Sequence, residues 1–298
     1  MKTELSALPF VECERRSNVG RTTFIEEHFL PGRPVIIEGD AHGWRERWTP
    51  ELLKQRFGDR MIEANTGEFI AVHRKYVPMK LSDVIDNITS GSREYRLRSL
   101  EFLDIIPELR HELERDGYFR EYFSAPFLMH NLWLAPPGGT SGFHHDFGFE
   151  NLNFQVCGSK TFYLAHPSNY SNLDPFEFSA SPVHPLAPDL ERHPRAANVQ
   201  FVKATLRPGD MMYVPRFWWH FVVAEEVSLN INTFAVQAST ARIWASTTGL
   251  PIRHRIPLAF TALTQRRRSL DRARMETFNW VAKYGRQLRL PNFMGKRA

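Results

Sequence analysis

The sequence predicts a mainly β domain with helices flanking it on both sides, and three observations carry that prediction. Short strand-length runs crowd the middle of the chain: Asn151 to Cys157, Lys160 to Leu164 and Ser228 to Phe234. Glycine-bearing turns punctuate them, Gly158-Ser159 between the first two and Pro208-Gly209 ahead of a further apolar run. Helical punctuation, by contrast, is confined to the segments before residue 127 and after residue 239. The chain of 298 residues can bury a large core, as one elaborated domain or two. The division drawn here is an N-terminal helical and strand region over 1–126, a β core over 127–239 and a C-terminal helical region over 240–298.

Taken in order, the chain opens with an irregular segment to about Val19. Thr23 then caps a short helix, TFIEEHFL, with Glu26 as its capping-box partner. Pro34 to Glu38 is a compact apolar strand that Gly39 ends. In WTPELLKQRFG, Thr49 is the N-cap, Pro50 the first helical residue and Gly58 the stop. Met61 to Tyr76 reads as one or two strands with a turn at Asn65-Thr66-Gly67, Leu81 to Ile88 as a helix, and Tyr95 to Leu100 as an extended segment. Ile106, Leu109 and Leu113 recur on one face of another helix. Pro167 to Asn198, rich in Pro, Ser, Asn and Asp, is an insertion expected as a surface loop or lid that shapes a binding site. From Thr240 the pattern turns helical, with a run from Leu270 to Leu288.

The chemistry is concentrated in Asn131 to Leu164, which contains His144-His145-Asp146. On extended backbone the first and third side chains of H-x-D share a face, so His144 and Asp146 converge while His145 points away. Two histidines and one carboxylate with open positions form the facial triad of non-haem Fe(II) oxygenases. His220, in PRFWWHFVV, is the candidate third ligand. Gly158-Ser159 suits a tight hairpin turn, and the implied register pairs Cys157 with Lys160, Gln155 with Phe162 and Asn153 with Leu164. One face then carries Asn151, Asn153, Gln155 and Lys160, while Leu152, Phe154 and Val156 point the other way. A buried Lys160 needs an anionic partner, which a dicarboxylate cosubstrate would provide. Ser228, Asn230 and Asn232 share one face of a further strand, which suits a lining role. His130, His166, His184 and His193 read as non-ligands, with His130 and His166 near enough in sequence to meet a substrate.

These motifs resemble the Jumonji C-like, cupin-fold 2-oxoglutarate oxygenases, which include asparaginyl hydroxylases and a tRNA wybutosine hydroxylase. The resemblance runs over roughly Phe29 to Phe234 and rests on PGRPVIIEG, LWLAPPG ahead of H-x-D, NLNFQVCGSKTFYL after it, and PGDMMYVPRFWWH. It implies a double-stranded β-helix, a jelly-roll or cupin barrel over the core, with Fe(II) held by His144, Asp146 and His220. It further implies 2-oxoglutarate as cosubstrate, gripped by Lys160 and lined by Asn151, Asn232 and Ser141, with O2 as oxidant. Where relatives have Tyr-Leu before the barrel this chain reads Tyr95-Arg96-Leu97, which makes Arg96 the alternative cosubstrate contact. The expected reaction is hydroxylation of a C–H bond in a peptide or protein side chain or a small amino-acid-like metabolite. A tRNA base hydroxylated by the same chemistry, or a cupin scaffold that holds metal without turnover, is the alternative.

Composition excludes other classes. No apolar run approaches the ~20 residues of a membrane helix, and MKTELSALPF lacks a signal-peptide layout, so the expected location is cytoplasmic and no membrane partner is expected. Two distant cysteines, Cys13 and Cys157, imply no disulfide framework. The net charge of +5 collects late, in QRRRSLDRARM and the terminal GKRA, as a solvated basic face or a contact for an acidic partner such as RNA, which no RNA-binding motif supports. Met275, Phe278, Val281 and Leu288 near helical spacing are more apolar surface than a terminal helix leaves exposed, and a homodimer through this region is expected.

Overall fold

The computed structural model describes residues 8–39, 43–66, 75–99, 106–116, 122–123, 128–146, 148–176 and 179–235, with 252, 255 and 256. The expected C-terminal helices, including Leu270 to Leu288, lie outside the described residues. The N-terminal strands are β1 (Phe10–Glu12), β2 (Arg15–Ser17), β3 (Val35–Glu38), β4 (Met61–Thr66), β5 (Lys75–Lys80) and β6 (Tyr95–Ser99). The later strands are β7 (Leu128–Ala135), β8 (Glu150–Cys157), β9 (Lys160–Ala165), β10 (Phe201–Leu206), β11 (Met211–Val214), β12 (Trp219–Ala224) and β13 (Ser228–Ala235). They form two sheets: a larger one ordered β2-β3-β11-β8-β13-β7-β6-β4-β5, and a smaller one ordered β1-β10-β9-β12. From β7 onward the chain passes repeatedly between the sheets, the jelly-roll arrangement of a double-stranded β-helix.

Alternation along each strand assigns its two faces. In the larger sheet Leu132, Leu134, Leu152, Phe154, Val156, Leu229 and Ile231 turn outward, into a core shared with Trp44, Trp48, Leu53, Val84 and Leu109. Helices α3 (Pro50–Phe57), α4 (Leu81–Thr89) and α5 (Pro107–Asp116) supply the last three of these. The earlier helical pieces are α1 (Arg21–Thr23), a π-helical segment Phe24–Phe29, and α2 (Trp44–Arg47). On the outer face of the smaller sheet, Tyr163, Trp219 and Phe221 pack with Tyr170, Leu173, Val183 and Ala196. The insertion over 167–198 is thus a cover for that sheet, and none of its described residues reaches the cavity between the sheets. Between the sheets one end is apolar, filled by Phe162, Leu164, Met212, Val214 and Trp218.

Several local expectations hold. Thr49 caps α3, its hydroxyl oxygen accepting from Leu52 N at 3.2 Å, and Ile106, Leu109 and Leu113 are all buried at or beside α5. Others do not. Thr23 has helical dihedrals (φ −56°, ψ −45°) and lies inside a helix that begins at Arg21, with Gly20 as its N-cap, so its side chain cannot cap and the box with Glu26 does not form. The segment before Val19 is not irregular: β1 pairs in parallel with β10 and β2 with β3. No turn falls at Asn65 or Thr66, which lie within β4, and Gly67 is outside the described residues.

The hairpin is the principal correction. β8 pairs with β11 and β13, whereas β9 pairs with β10 and β12, so Gly158-Ser159 carries the chain from one sheet to the other. Gly158 sits at φ 62°, and a Cβ there would stand 2.0 Å from the Val227 carbonyl oxygen, so only glycine fits. Alternation nevertheless sends Asn151, Asn153, Lys160 and Phe162 into the space between the sheets, while Gln155, expected beside them, is absent from the cavity wall and donates to the Ser228 hydroxyl at 2.7 Å. No helix among the described residues is long and apolar enough to cross a membrane. Cys13 and Cys157 are free thiols, and burial pushes the Cys13 thiol up to about 12.

Candidate metal centre and its cavity

The polar end of the space between the sheets is a cavity of about 130 Å³. His220 enters it from β12, Lys160 from β9, Asn151 and Asn153 from β8, Asn230 and Asn232 from β13, and Asn131 and Trp133 from β7. His144 and Asp146 arrive on the segment between β7 and β8, which runs alongside β12. His144 N donates to the His220 carbonyl at 3.1 Å and His220 N to the His144 carbonyl at 2.7 Å, so the two histidines exchange main-chain bonds.

That exchange sets the imidazoles side by side, ring centroids 4.3 Å apart. Nδ1 of His144 lies 2.7 Å from the Gly142 carbonyl and Nδ1 of His220 lies 3.1 Å from the Trp218 carbonyl. A carbonyl can only accept, so each Nδ1 carries a hydrogen and Nε2 is the ring nitrogen left to face a metal. Both Nε2 atoms face Asp146, that of His144 3.6 Å from Oδ1 and that of His220 3.4 Å from Oδ2. The three ligand atoms lie within 4.8 Å of one another, the one such cluster found among the described residues. Burial opposes ionisation of Asp146, but His220, His144 and the Asn151 amide outweigh it and hold the carboxyl below the usual range. Burial also pushes His220 down to about 4, partly offset by Asp146, so it stands neutral and able to ligate. Two imidazoles and a carboxylate on one side of the cavity are a donor set that fits a divalent iron ion with positions left open.

A hydrogen-bond chain across three strands steadies the carboxylate. Trp133 Nε1 donates to Asn232 Oδ1 at 2.9 Å, Asn232 Nδ2 to Asn151 Oδ1 at 3.1 Å, and Asn151 Nδ2 to Asp146 Oδ2 at 2.9 Å. Asn153 Nδ2 also donates to Asn151 Oδ1, at 3.1 Å. Asn151 and Asn232, expected to line a cosubstrate, are thus also the supports of Asp146. Ser141 lines the cavity, its oxygen accepting from Val222 N at 2.9 Å and its hydrogen left to donate.

Lys160 is 7% exposed and lies in the cavity wall beside Phe162. No carboxylate pairs with it among the described residues, and burial lowers its ammonium to about 7. Arg96 lines the cavity and donates to the Thr140 carbonyl, while Tyr95 is absent from the wall. The structure therefore brings together the expected ligand and cosubstrate residues, His144, Asp146, His220, Lys160, Asn151, Ser141, Asn232 and Arg96, whereas Ser228, expected to share the lining role of Asn230 and Asn232, is not in the wall. His145 faces away, buried edge-on against Trp219 at 4.7 Å. His130 bonds Thr233 and His166 bonds Ser168, and neither lines the cavity. Trp133, Thr140, Asn65 and Asn131 were missed in sequence. Alternation through Asn131-Leu132-Trp133-Leu134 marks the inward pair, but nothing local says that Asn65 reaches the same wall. Asn131 is 1% exposed and neither atom of its amide has a partner among the described residues.

A family model for a cupin-like domain matches residues 21–237. The tRNA wybutosine-synthesizing protein 5 of Mus musculus is 25% identical over 246 residues, which cover 74% of this chain and 76% of that protein. The lysine-specific demethylase JMJ30 of Arabidopsis thaliana is 26% identical over 232 residues, covering 74% and 53%. The Jumonji C domain-containing protein 5 of Drosophila melanogaster is 40% identical over 220 residues, covering 68% and 55%. The chain thus spans about half the length of these last two relatives. The match runs from the first helix through β13 and takes in every residue of the metal-binding set, and on it the chain belongs to the cupin-like domain family, with Jumonji C proteins among its relatives.

Proposed function

We propose that this chain is an Fe(II)- and 2-oxoglutarate-dependent oxygenase that hydroxylates an unactivated C–H bond in a peptide or protein side chain or in a small amino-acid-like metabolite. One observation carries the reading: a single cavity holds both a two-histidine, one-carboxylate donor set and, in its wall, an ammonium with no carboxylate partner among the described residues. Iron with 2-oxoglutarate and O2 supplies the oxidative chemistry, the cosubstrate ending as succinate and CO2. The chain's own contribution is positioning and exclusion of water. His144, Asp146 and His220 would hold the metal, their orientations set by the carbonyls of Gly142 and Trp218 and by the Asn151 amide. Lys160 would take the far carboxylate of the cosubstrate, with the Ser141 hydroxyl and Arg96 beside it. Phe162 and Val222 would supply apolar wall to the same cavity.

A tRNA base is the second substrate reading, and the likeness to a protein named for wybutosine synthesis in tRNA favours it. The test is succinate formation from 2-oxoglutarate by the iron-loaded protein against pools of peptides, tRNA and metabolites. Turnover coupled to one pool identifies the substrate class. Metal binding with no turnover against any pool would leave the cupin scaffold as the reading.

A further inference from the structure

Glu150 is fully buried and does not line the cavity. Its carboxylate accepts the Tyr213 hydroxyl at 2.6 Å and the Arg216 main-chain N–H at 3.3 Å, and it pairs with the Arg216 guanidinium. Glu150 opens β8, just after Asp146, while Arg216 occupies the turn between β11 and β12, just ahead of His220. One carboxylate therefore ties together two segments that each carry a metal-binding residue.

The turn it clamps is under strain. Phe217 sits at φ 62°, in the left-handed region that a bulky side chain rarely adopts. Such a conformation persists where the surroundings over-determine it. On one side of Phe217 stands Arg216, held by Glu150. On the other, Trp218 donates its main-chain N–H to the Pro215 carbonyl at 3.2 Å and its indole N–H to the Gly32 carbonyl at 3.1 Å. The Trp218 carbonyl in turn receives Nδ1 of His220. A chain of contacts thus leads from Glu150 to the imidazole. A buried ion pair is an inefficient stabiliser, since apolar replacement of both partners is often neutral or better, so stability alone does not account for this one.

We propose that Glu150, with Arg216 and Tyr213, is a positioning cluster that sets where His220 stands relative to Asp146. It acts through the strained turn and touches neither metal nor substrate. The proposal rests on the reading of His144, Asp146 and His220 as a metal centre.

Cobalt(II), whose visible absorption reports ligand geometry, is the probe, titrated into the full chain. The variants are Tyr213→Phe and the double change Glu150→Met with Arg216→Met, each also taken through thermal unfolding. The double variant is expected to fold with a lowered melting temperature, since the Tyr213 hydroxyl and the Arg216 main-chain N–H lose their acceptor, to bind Co(II) about 10–100-fold more weakly, as loss of an outer support does, and to show altered absorption bands. Tyr213→Phe should shift the bands the same way to a smaller extent. A folded double variant with wild-type Co(II) affinity and bands overturns the proposal. Should the double variant not fold, wild-type affinity and bands in Tyr213→Phe overturn it. A wild-type chain that binds no Co(II) fails differently, because it removes the metal centre itself.

Discussion

A main-chain carbonyl behind each imidazole turns Nε2 of His144 and His220 toward Asp146, and that single-residue fact makes the candidate metal site specific enough to test. His144→Ala or Asp146→Ala removes a ligand, and calorimetry under anaerobic conditions should find Fe(II) binding lost. Asn151→Ala removes only a support of Asp146 and is expected to weaken Fe(II) by about tenfold, the lower end for such partners. Lys160 allows a pH test. Its ammonium is lowered by burial from 10.5 to about 7, so in the ligand-free protein the unfolded chain binds the extra proton between those values and stability rises with pH across that window. A bound dicarboxylate wants the opposite, the charged ammonium. Affinity for 2-oxoglutarate should therefore be greatest at and below about pH 7 and weaken above it, and Lys160→Arg, always charged, should flatten the dependence. Lys160→Ala should leave the metal bound and weaken 2-oxoglutarate by about 10–100-fold, since a hydrogen bond to a charged group contributes about 1.5–3 kcal/mol. Binding of the cosubstrate at unchanged affinity would refute the role. The triad was legible in sequence because H-x-D and the later histidine are local patterns. The Trp133–Asn232–Asn151 chain was not, because it exists only once β7, β13 and β8 lie side by side.

Two strand-length runs joined by a short glycine turn describe a hairpin and a crossing between sheets equally well, which is why sequence alone mispairs β8 and β9. The distinguishing fact is remote: Val227, far along the chain, closes on Gly158. The inward faces survive the error because side-chain alternation is the same whether the next strand lies beside or opposite. The helices are more legible, since a cap such as Thr49 is decided within one turn of chain. The short β1 and β2, each of three residues, carry no pattern of their own and form only against β10 and β3. Gly158→Ala tests the crossing: it adds a clash to the ~1–2 kcal/mol of a left-handed alanine. The melting temperature should fall by several degrees, the ~2–4 °C per kcal/mol of a domain this size. Thr49→Ala, at a cap remote from the cavity, should cost about 1 kcal/mol and leave Co(II) binding alone. A Gly158→Ala protein as stable as the wild type would show that the close approach to Val227 is not real.

At the scale of the molecule, the candidate metal-binding residues and the described residues of the cavity wall come from elements ending at β13, within the family match over 21–237. The C-terminal stretch of the sequence has a different character. Met275, Phe278, Val281 and Leu288 recur at near-helical spacing, with Trp280 and Tyr284 beside them and basic residues between. Such a stripe needs a partner surface. Helices α3, α4 and α5 already pack on the outer face of the larger sheet, and the insertion over 167–198 on that of the smaller one. With both outer faces furnished with cover, we expect the stripe to pair with its counterpart in a second chain, by the two-fold arrangement commonest among soluble oligomers. Light scattering at micromolar concentration should give twice the 34.7 kDa of one chain. Deletion from Thr264 onward should return the mass to that of a single truncated chain while Co(II) affinity stays within about twofold, because no described element of the metal centre is removed. A monomeric full-length chain, or a truncated chain that still dimerises, would place the stripe against its own barrel or the dimer contact elsewhere.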